Sequence, residues 1–261
     1  MSKLPKQHQF LDLSDYGRPF AVIIATRLIS TKITPIHVTF GFFIAGCLAV
    51  LFMFMHLNWL ALLFLILKSI LDAADGTLAR LRNTPSYVGR YLDSIADIIL
   101  NFIILCSVGW LCSTPTLFVV LAFAGMQLQG TLYNYYYVIM RNKLNGDSTS
   151  RIFENKIPEA LLGEKQKHVN ILFLVYKLLY GIFDKTIYLL DSNASNQQSF
   201  PKWFMTLVST NGLGFQLLII GILLILNLTH FIIPFFMFYS VAIFIFIGIR
   251  ILINSRFYAQ N

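Results

Sequence analysis

The stretch LDAADGTLARLRNTPSYVGRYLDSIADIIL, residues 71–100, holds four of the twelve carboxylates of this 261-residue chain. The four are Asp72, Asp75, Asp93 and Asp97. The first two are three residues apart and the last two are four apart, so each pair lies on one face of a helix. The break at 83–88 is short, which predicts that the two helices are antiparallel neighbours. We therefore expect the two acid pairs to converge in one pocket.

The rest of the chain is apolar. Hydrophobic residues make up 57% of it and charged residues 12%, and the mean hydropathy is +0.69, which does not fit a soluble domain. Several apolar runs reach the ~20 residues that a helix needs to cross about 30 Å of hydrocarbon. The sequence predicts an all-α, polytopic membrane bundle of six transmembrane helices. We place these spans at 35–55, 59–73, 91–111, 115–140, 203–226 and 231–253, with the second helix continuing past Asp72.

Basic residues are distributed unevenly around these spans. The turns near Leu57, Ser113 and Thr229 contain no Lys or Arg, whereas the other connections and both ends of the chain are rich in them. Cytoplasmic loops carry the excess of basic residues, so we expect both termini and the acid pocket to face the cytoplasm. The net charge of +8 is explained by this placement, and we expect no nucleic-acid partner. In a bacterium the membrane would be the plasma (inner) membrane.

Two further segments have the pattern of interfacial helices. Residues 16–31 mix apolar and basic side chains, and 169–190 is an apolar helix with a narrow stripe of Asn170, Lys177 and Asp184. Residues 169–190 could instead cross the membrane, but the C-terminal arginines would then lie on the far side, against the charge distribution. The predicted domains are an N-terminal cytoplasmic or interfacial segment at 1–34 and a catalytic membrane domain at 35–261, with an interfacial insertion at about 141–202.

Four carboxylates close to hydrocarbon require a counter-charge. Each ionisable group there costs about 2.5 to 3.5 kcal/mol, and neighbouring like charges add to this cost. Arg80 alone cannot balance four acids. The ligands are all oxygens, which favours a hard divalent cation, Mg²⁺ or Mn²⁺, shared with a substrate diphosphate. We expect two such ions, with Arg80 on a phosphate oxygen.

The acidic segment resembles, at every fixed position, the signature of the CDP-alcohol phosphotransferase family, D-x-x-D-G-x-x-A-R-x(8)-G-x-x-x-D-x-x-x-D. The matching residues are Asp72, Asp75, Gly76, Ala79, Arg80, Gly89, Asp93 and Asp97. The six predicted spans are also similar to that family's architecture. The resemblance implies a CDP-linked donor, an alcohol acceptor, release of CMP and a homodimer.

The resemblance also implies roles for individual residues. All four aspartates would hold metal, and Asp97 would also accept the proton of the attacking hydroxyl. The donor's CDP moiety would be bound by Gly76, Ala79, Arg80, Ser86 and Gly89. TPIHVT at 34–39 resembles the family's T-P-N-x-x-T entry to the first span, which adds Ile36, His37, Val38 and Thr39 to the donor contacts. Ile36 replaces the usual polar residue, so backbone groups are expected to make that contact.

The acceptor site is indicated by fewer residues. Arg141 and Lys143 at the end of the fourth span, and Arg250 near the end of the sixth, could bind a phosphorylated acceptor. The alternative is that these cations lie at the membrane surface, where long basic side chains extend towards water. In that alternative, the three residues would have no role in binding the acceptor.

The function that these features favour is transfer of a phosphatidyl group from CDP-diacylglycerol to a small alcohol or polyol phosphate. One alternative keeps the chemistry but uses a CDP-linked headgroup as donor and a lipid as acceptor. A second, from another class, is a cation transporter or channel, which also uses acids within a membrane. Its acids should line a path through the bilayer, whereas these cluster near one face.

Overall fold

The computed structural model describes residues 4–144, 154, 156–196 and 200–259, and every regular element in that part of the chain is a helix. The helices are α1 (Arg18–Leu28), α2 (Pro35–Phe54), α3 (Asn58–Leu81), α4 (Tyr87–Leu111), α5 (Thr116–Lys143), α6 (Gln166–Leu190), α7 (Lys202–Val208), α8 (Leu213–Ile225), α9 (Ile232–Tyr239) and α10 (Val241–Ala259). Short 3-10 turns lie at Lys6–His8, Ser192–Asn196, Ser209–Asn211 and Thr229–Phe231. The all-α class is confirmed, and the predicted insertion at 141–202 lies partly outside the described residues.

Four helical stretches of the described chain are long and apolar enough to cross a membrane: α2, α4, α5 and the stretch Thr229–Asn254 that includes α9 and most of α10. A fifth arises if α7 and α8, bent by 53° at the intervening turn, count as one broken span. The span predicted at 203–226 therefore consists of two helices that meet at a bend, and not of one continuous helix. The total of six is not confirmed, because α3 carries Lys68, Asp72 and Asp75 within its 24 residues. The continuation of α3 past Asp72 is confirmed, and the chain is an integral membrane protein.

Local capping sets where α2 and α4 begin. Thr34 and His37 form a capping box at the start of α2, in which each side chain accepts a hydrogen bond from the other's backbone N–H, and Pro35 occupies the first turn. Ser86 caps α4 by accepting from the Gly89 N–H at 2.8 Å. Asn83, with φ of 52°, takes the left-handed conformation that ends α3.

Helix α2 packs against both α3 and α4, while α3 also packs against α1 and α8. Gly46 allows the close approach to α4, because a Cβ there would lie 2.7 Å from Leu100. Among the described helices, α3 and α4 are not a closely packed pair. The two helices nevertheless face each other as expected, since Lys68 on α3 contacts Asp97 on α4, but through side chains and not through close backbone packing. The backbones leave a gap that the acidic side chains enter.

The N-terminal strap, residues 12–17, packs against the ends of α5 and α8. The Leu13 N–H donates to Ser209 Oγ at 2.9 Å, and the Tyr133 hydroxyl donates to Asp12. Gly214 is needed for this contact, since a Cβ there would lie 1.9 Å from the Ser14 carbonyl oxygen. The strap thereby places α1 on the side of α3.

Helix α6 packs along α4 and α5. Its contact with α4 is aromatic. The ring of Tyr91 on α4 lies edge-on to Phe173 of α6 with centroids 5.8 Å apart, and the Tyr91 centroid lies 5.2 Å from that of Tyr176. The 25 residues of α6 are not among the candidate spans of the described chain. An interfacial position for α6 stays a prediction.

Candidate active site

The structure brings together the aspartates of the two helices. One oxygen each of Asp72, Asp75 and Asp93 lie within 4.8 Å of one another. Asp97, one turn further along α4, contacts the buried ammonium of Lys68, which also donates to Asp72 Oδ2 at 3.0 Å. The side chains of Asp72 and Asp97 keep 27% and 15% of their surface exposed, so the cluster is open to a ligand.

Lys68 is a member of this cluster that the sequence reasoning missed. It lies on α3 one turn before Asp72, its side chain is fully buried, and its ammonium lies 4.8 Å from the Phe42 ring centroid. The sequence reasoning considered only Arg80 as a protein counter-charge and judged it insufficient for four acids. A lysine four residues before an aspartate, inside the apolar run LLFLILKSIL, was the signal that could have found it.

The acid cluster has the chemistry of a site for a hard divalent cation. Asp93 Oδ1 is buried and has no hydrogen-bond partner in the described residues. Such an oxygen loses its hydration without compensation unless a ligand reaches it. Asp75 is held in place by the Thr39 hydroxyl, which donates to its Oδ2 at 2.6 Å. A cluster of carboxylate oxygens with one unsatisfied oxygen fits Mg²⁺ or Mn²⁺.

Two guanidinium groups meet at Thr77, two residues after Asp75 on α3. Arg80 Nη2 and Arg18 Nη1 both donate to the Thr77 hydroxyl oxygen, at 3.0 and 3.1 Å. Gly76 leaves room for this arrangement, since a Cβ there would lie 3.3 Å from Arg80 Nη1. Arg18, held by Asp15, was missed because the sequence placed it in an interfacial helix.

The other predicted donor contacts lie around the helix starts. Ala79, Gly89 and Ser86 surround the α3–α4 connection, where the Ser86 hydroxyl donates to Glu164 Oε1 at 2.7 Å. His37 belongs to the α2 capping box, and Val38 is buried against Ala74 and Leu78. Ile36 is half-buried in the first turn of α2. The contacts of these residues with the CDP-linked donor stay predictions. In this structure the Thr39 hydroxyl donates a hydrogen bond to Asp75.

Glu164 and Glu154 connect the segment before α6 to the start of α4. Glu164 also accepts from the Val88 N–H at 2.8 Å. Glu154 pairs with Arg90 and accepts from the Tyr91 hydroxyl at 2.7 Å. Because these partners are more than sixty residues apart, the sequence offered no local signal for either contact.

The three predicted acceptor cations lie in different surroundings. Arg250 forms a buried ion pair with Asp191, whose Oδ2 is 2.9 Å from Arg250 Nε. Arg141 is buried, with its guanidinium 5.3 Å from the Tyr137 ring centroid. Lys143 is exposed at the end of α5. Their acceptor roles stay predictions, and the ion pair gives Arg250 a structural partner that the sequence did not indicate.

Asn101 extends the polar face of α4 by one turn beyond Asp97. It is 4% exposed, and its Oδ1 has no hydrogen-bond partner in the described residues. Over the next two turns, Ile104, Leu105 and Val108 belong to the apolar core shared with α3, α5 and α8. Asn101 therefore marks the level at which the acid cluster gives way to hydrocarbon-like packing.

Comparison with known proteins gives two matches. Residues 32–192, more than half of the chain, match the CDP-alcohol phosphatidyltransferase family. A curated relative, the CDP-diacylglycerol--serine O-phosphatidyltransferase of Bacillus subtilis (strain 168), is 42% identical over 65 residues. Those residues are 25% of this chain and 37% of the relative. The likeness to that relative is thus confined to a small part of each protein.

Proposed function

The chain belongs to the CDP-alcohol phosphatidyltransferase family, and from that premise we propose that it transfers the phosphatidyl group of CDP-diacylglycerol to the hydroxyl of a small alcohol, releasing CMP. The observation that carries this proposal is the acid cluster on α3 and α4. Asp72, Asp75 and Asp93 offer oxygens within 4.8 Å of one another, and Arg80 and Arg18 both donate to Thr77, two residues after Asp75 on the same helix. A diphosphate needs both kinds of partner, cations on its oxygens and a metal-binding set of carboxylates.

The divalent cation would be held by Asp72, Asp75 and Asp93. When bound, Mg²⁺ or Mn²⁺ would neutralise charge on the phosphates and on the departing CMP. Arg80, positioned through Thr77, would bind a phosphate oxygen of the donor. Gly76 and Ala79 on the same face of α3 would let the cytidine diphosphate approach the helix closely.

Asp97 would act as the general base. Its carboxylate is partly exposed and lies one turn from Asp93 on the same face of α4. The acceptor oxygen would form a bond to the phosphorus that carries diacylglycerol, and the bond from that phosphorus to the CMP oxygen would break. The acceptor's proton would pass to Asp97. Catalysis of this kind depends on positioning and charge stabilisation.

L-Serine is the first acceptor to test, because the curated relative is named for serine. The structure gives less support to a phosphorylated polyol. Of the three cations expected to bind such a phosphate, Arg250 is paired with Asp191 and Arg141 is buried. A homodimer and a cytoplasmic active site remain part of the proposal.

The test is an assay of the full chain in phospholipid vesicles with labelled CDP-diacylglycerol. We expect CMP release only with Mg²⁺ or Mn²⁺, loss of release on chelation, and recovery when the cation is restored. The acceptor panel comprises L-serine, inositol phosphate and glycerol phosphate. Asp93→Asn should abolish release, whereas Glu159→Gln, an exposed acid-to-amide change, should not.

The cation transporter is the competing function, and the same vesicles test it. Metal-dependent flux of Mn²⁺ into the vesicles without any CMP release would overturn the transferase proposal. CMP release from a CDP-linked headgroup onto diacylglycerol, with none from CDP-diacylglycerol, would instead reverse the assignment of donor and acceptor.

A further inference from the structure

We propose that Lys68 is a built-in cation of the active site: its ammonium stands where a second metal ion would bind, so that this chain holds one divalent cation and positions its base with a lysine. This inference deepens the proposed function and depends on the same acid cluster. It departs from the expectation of two ions drawn from the sequence.

The position of the Lys68 ammonium is the first reason. It lies between α3 and α4, 3.0 Å from Asp72 Oδ2 and in contact with Asp97 Oδ1. A second ion shared by these two aspartates would need the same oxygens. Since an ammonium and a divalent cation repel each other at such distances, both cannot occupy this edge of the cluster.

The burial of Lys68 is the second reason. A surface lysine could turn into water when a metal ion arrives. The side chain of Lys68 is fully buried and packs over the Phe42 ring, and Leu65, one turn earlier on α3, belongs to the apolar core. Removing the ammonium from its two carboxylates would leave it in apolar surroundings, which is costly. The lysine is therefore a fixed part of the site.

The division of the four aspartates is the third reason. Asp72, Asp75 and Asp93 are the group of described residues whose oxygens converge as a metal site. Asp97 instead has the ammonium as its close cation. Lys68 thus acts as a positioning residue: it holds one oxygen of Asp97 and leaves the other to receive the acceptor's proton. The metal and the base are held separately.

The experiment counts bound ions on the purified full chain in detergent by Mn²⁺ electron paramagnetic resonance, with Mn²⁺ alone and again with CMP present. We expect one Mn²⁺ per wild-type chain. Lys68→Met, which keeps the unbranched apolar stem but removes the charge, should bind two, because Asp72 and Asp97 become available together. Lys68→Arg should bind one. The matched control is Lys177→Met, an exposed lysine 5.9 Å from a phenylalanine ring centroid, which should also bind one.

Two results would overturn the inference: two ions on the wild-type chain, or an unchanged count in Lys68→Met. If Lys68→Met does not fold, two other variants decide. Asp97→Asn should retain the single ion with an affinity within about threefold of wild type, since Asp97 is not its ligand, whereas Asp93→Asn should lose it. An equal loss of Mn²⁺ from both variants would contradict the proposal.

Ion counting is independent of turnover, so the two proposals can fail separately. A chain that binds one Mn²⁺ and gains a second in Lys68→Met, yet releases no CMP, would refute the transferase function and support the role of Lys68. A wild-type chain that releases CMP with two ions bound would support the transferase function and refute the role of Lys68.

Discussion

Two of the groups of buried charges in the described part of this bundle are built in opposite ways. Arg250 and Asp191 are each 3% exposed and neutralise each other. The Tyr136 hydroxyl donates to Asp191 Oδ2 at 2.6 Å, and the Tyr135 hydroxyl donates to the Asp191 carbonyl oxygen at 3.1 Å. In the acid cluster, the ammonium of Lys68 contacts two of the four carboxylates, those of Asp72 and Asp97, and one oxygen of Asp93 has no partner in the described residues.

The difference separates charges that stabilise the fold from charges that await a ligand. A buried pair in which every group has a partner needs nothing from outside the protein. In a cluster with an excess of acids, the free-energy cost of desolvation and of repulsion between carboxylates is not offset until a cation binds. Local imbalance of this kind is expected at functional sites. The predictions below test whether the two groups respond oppositely to loss of a charge.

The largest effect is expected from Asp97→Asn. An amide cannot accept the proton of the attacking hydroxyl, so CMP release should fall by about 10³-fold, equivalent to about 4 kcal/mol of activation free energy. The unfolding midpoint in detergent should change little, since Lys68 keeps Asp72 as a partner. Rates and midpoints measured on the same preparation check this. More than a tenth of the wild-type rate would exclude Asp97 as the base.

The ion pair should behave in the opposite way. Arg250→Met leaves the Asp191 carboxylate buried without its cation, so the free energy of unfolding should fall by at least about 3 kcal/mol. Thermal unfolding in detergent measures this loss. The double variant Asp191→Leu with Arg250→Met removes both charges and should regain most of it.

The double variant also tests the acceptor role predicted for Arg250. If stability returns and the KM for the acceptor stays at the wild-type value, the arginine is structural. A raised KM together with recovered stability would place Arg250 in the acceptor site after all.

Local geometry explains what the sequence predicted correctly. The spacing of Asp72 from Asp75, and of Asp93 from Asp97, determines a shared helix face whatever surrounds it. The capping residues Thr34 and Ser86 likewise act within one turn. The shared face of each acid pair and the positions where α2 and α4 begin follow from such short-range rules.

Contacts between distant residues explain what the sequence did not predict. The bend between α7 and α8 lies where the N-terminal strap reaches Ser209 and Gly214, nearly two hundred residues away. The backbones of α3 and α4 are not closely packed, whereas α2 packs against both, and no local pattern predicts that arrangement. The spacing of Lys68 from Asp72 was a local signal, but its contact with Asp97 joins residues 29 positions apart and has none.

The smallest effect, and the finest test of the contrast, is expected from Asn101→Leu. The Asn101 Oδ1 is buried without a hydrogen-bond partner in the described residues, so replacing the amide by a side chain of similar volume should stabilise the fold by about 1 kcal/mol. The same change removes a polar group one turn from Asp97 and should lower kcat/KM for the acceptor several-fold. Thermal unfolding and CMP release on one preparation measure both effects.

Gln216→Leu is the matched control for Asn101→Leu. Gln216 is also a buried amide, but its nitrogen donates to the Met126 carbonyl oxygen at 3.0 Å and to Gln129 Oε1 at 3.1 Å. Its loss should destabilise the fold by about 1 kcal/mol, because a buried acceptor on Gln129 loses its donor. Opposite signs in stability would show that Asn101 is kept for a ligand and Gln216 for packing. If both substitutions destabilise the fold equally, Asn101 is a structural residue and the active site ends at Asp97.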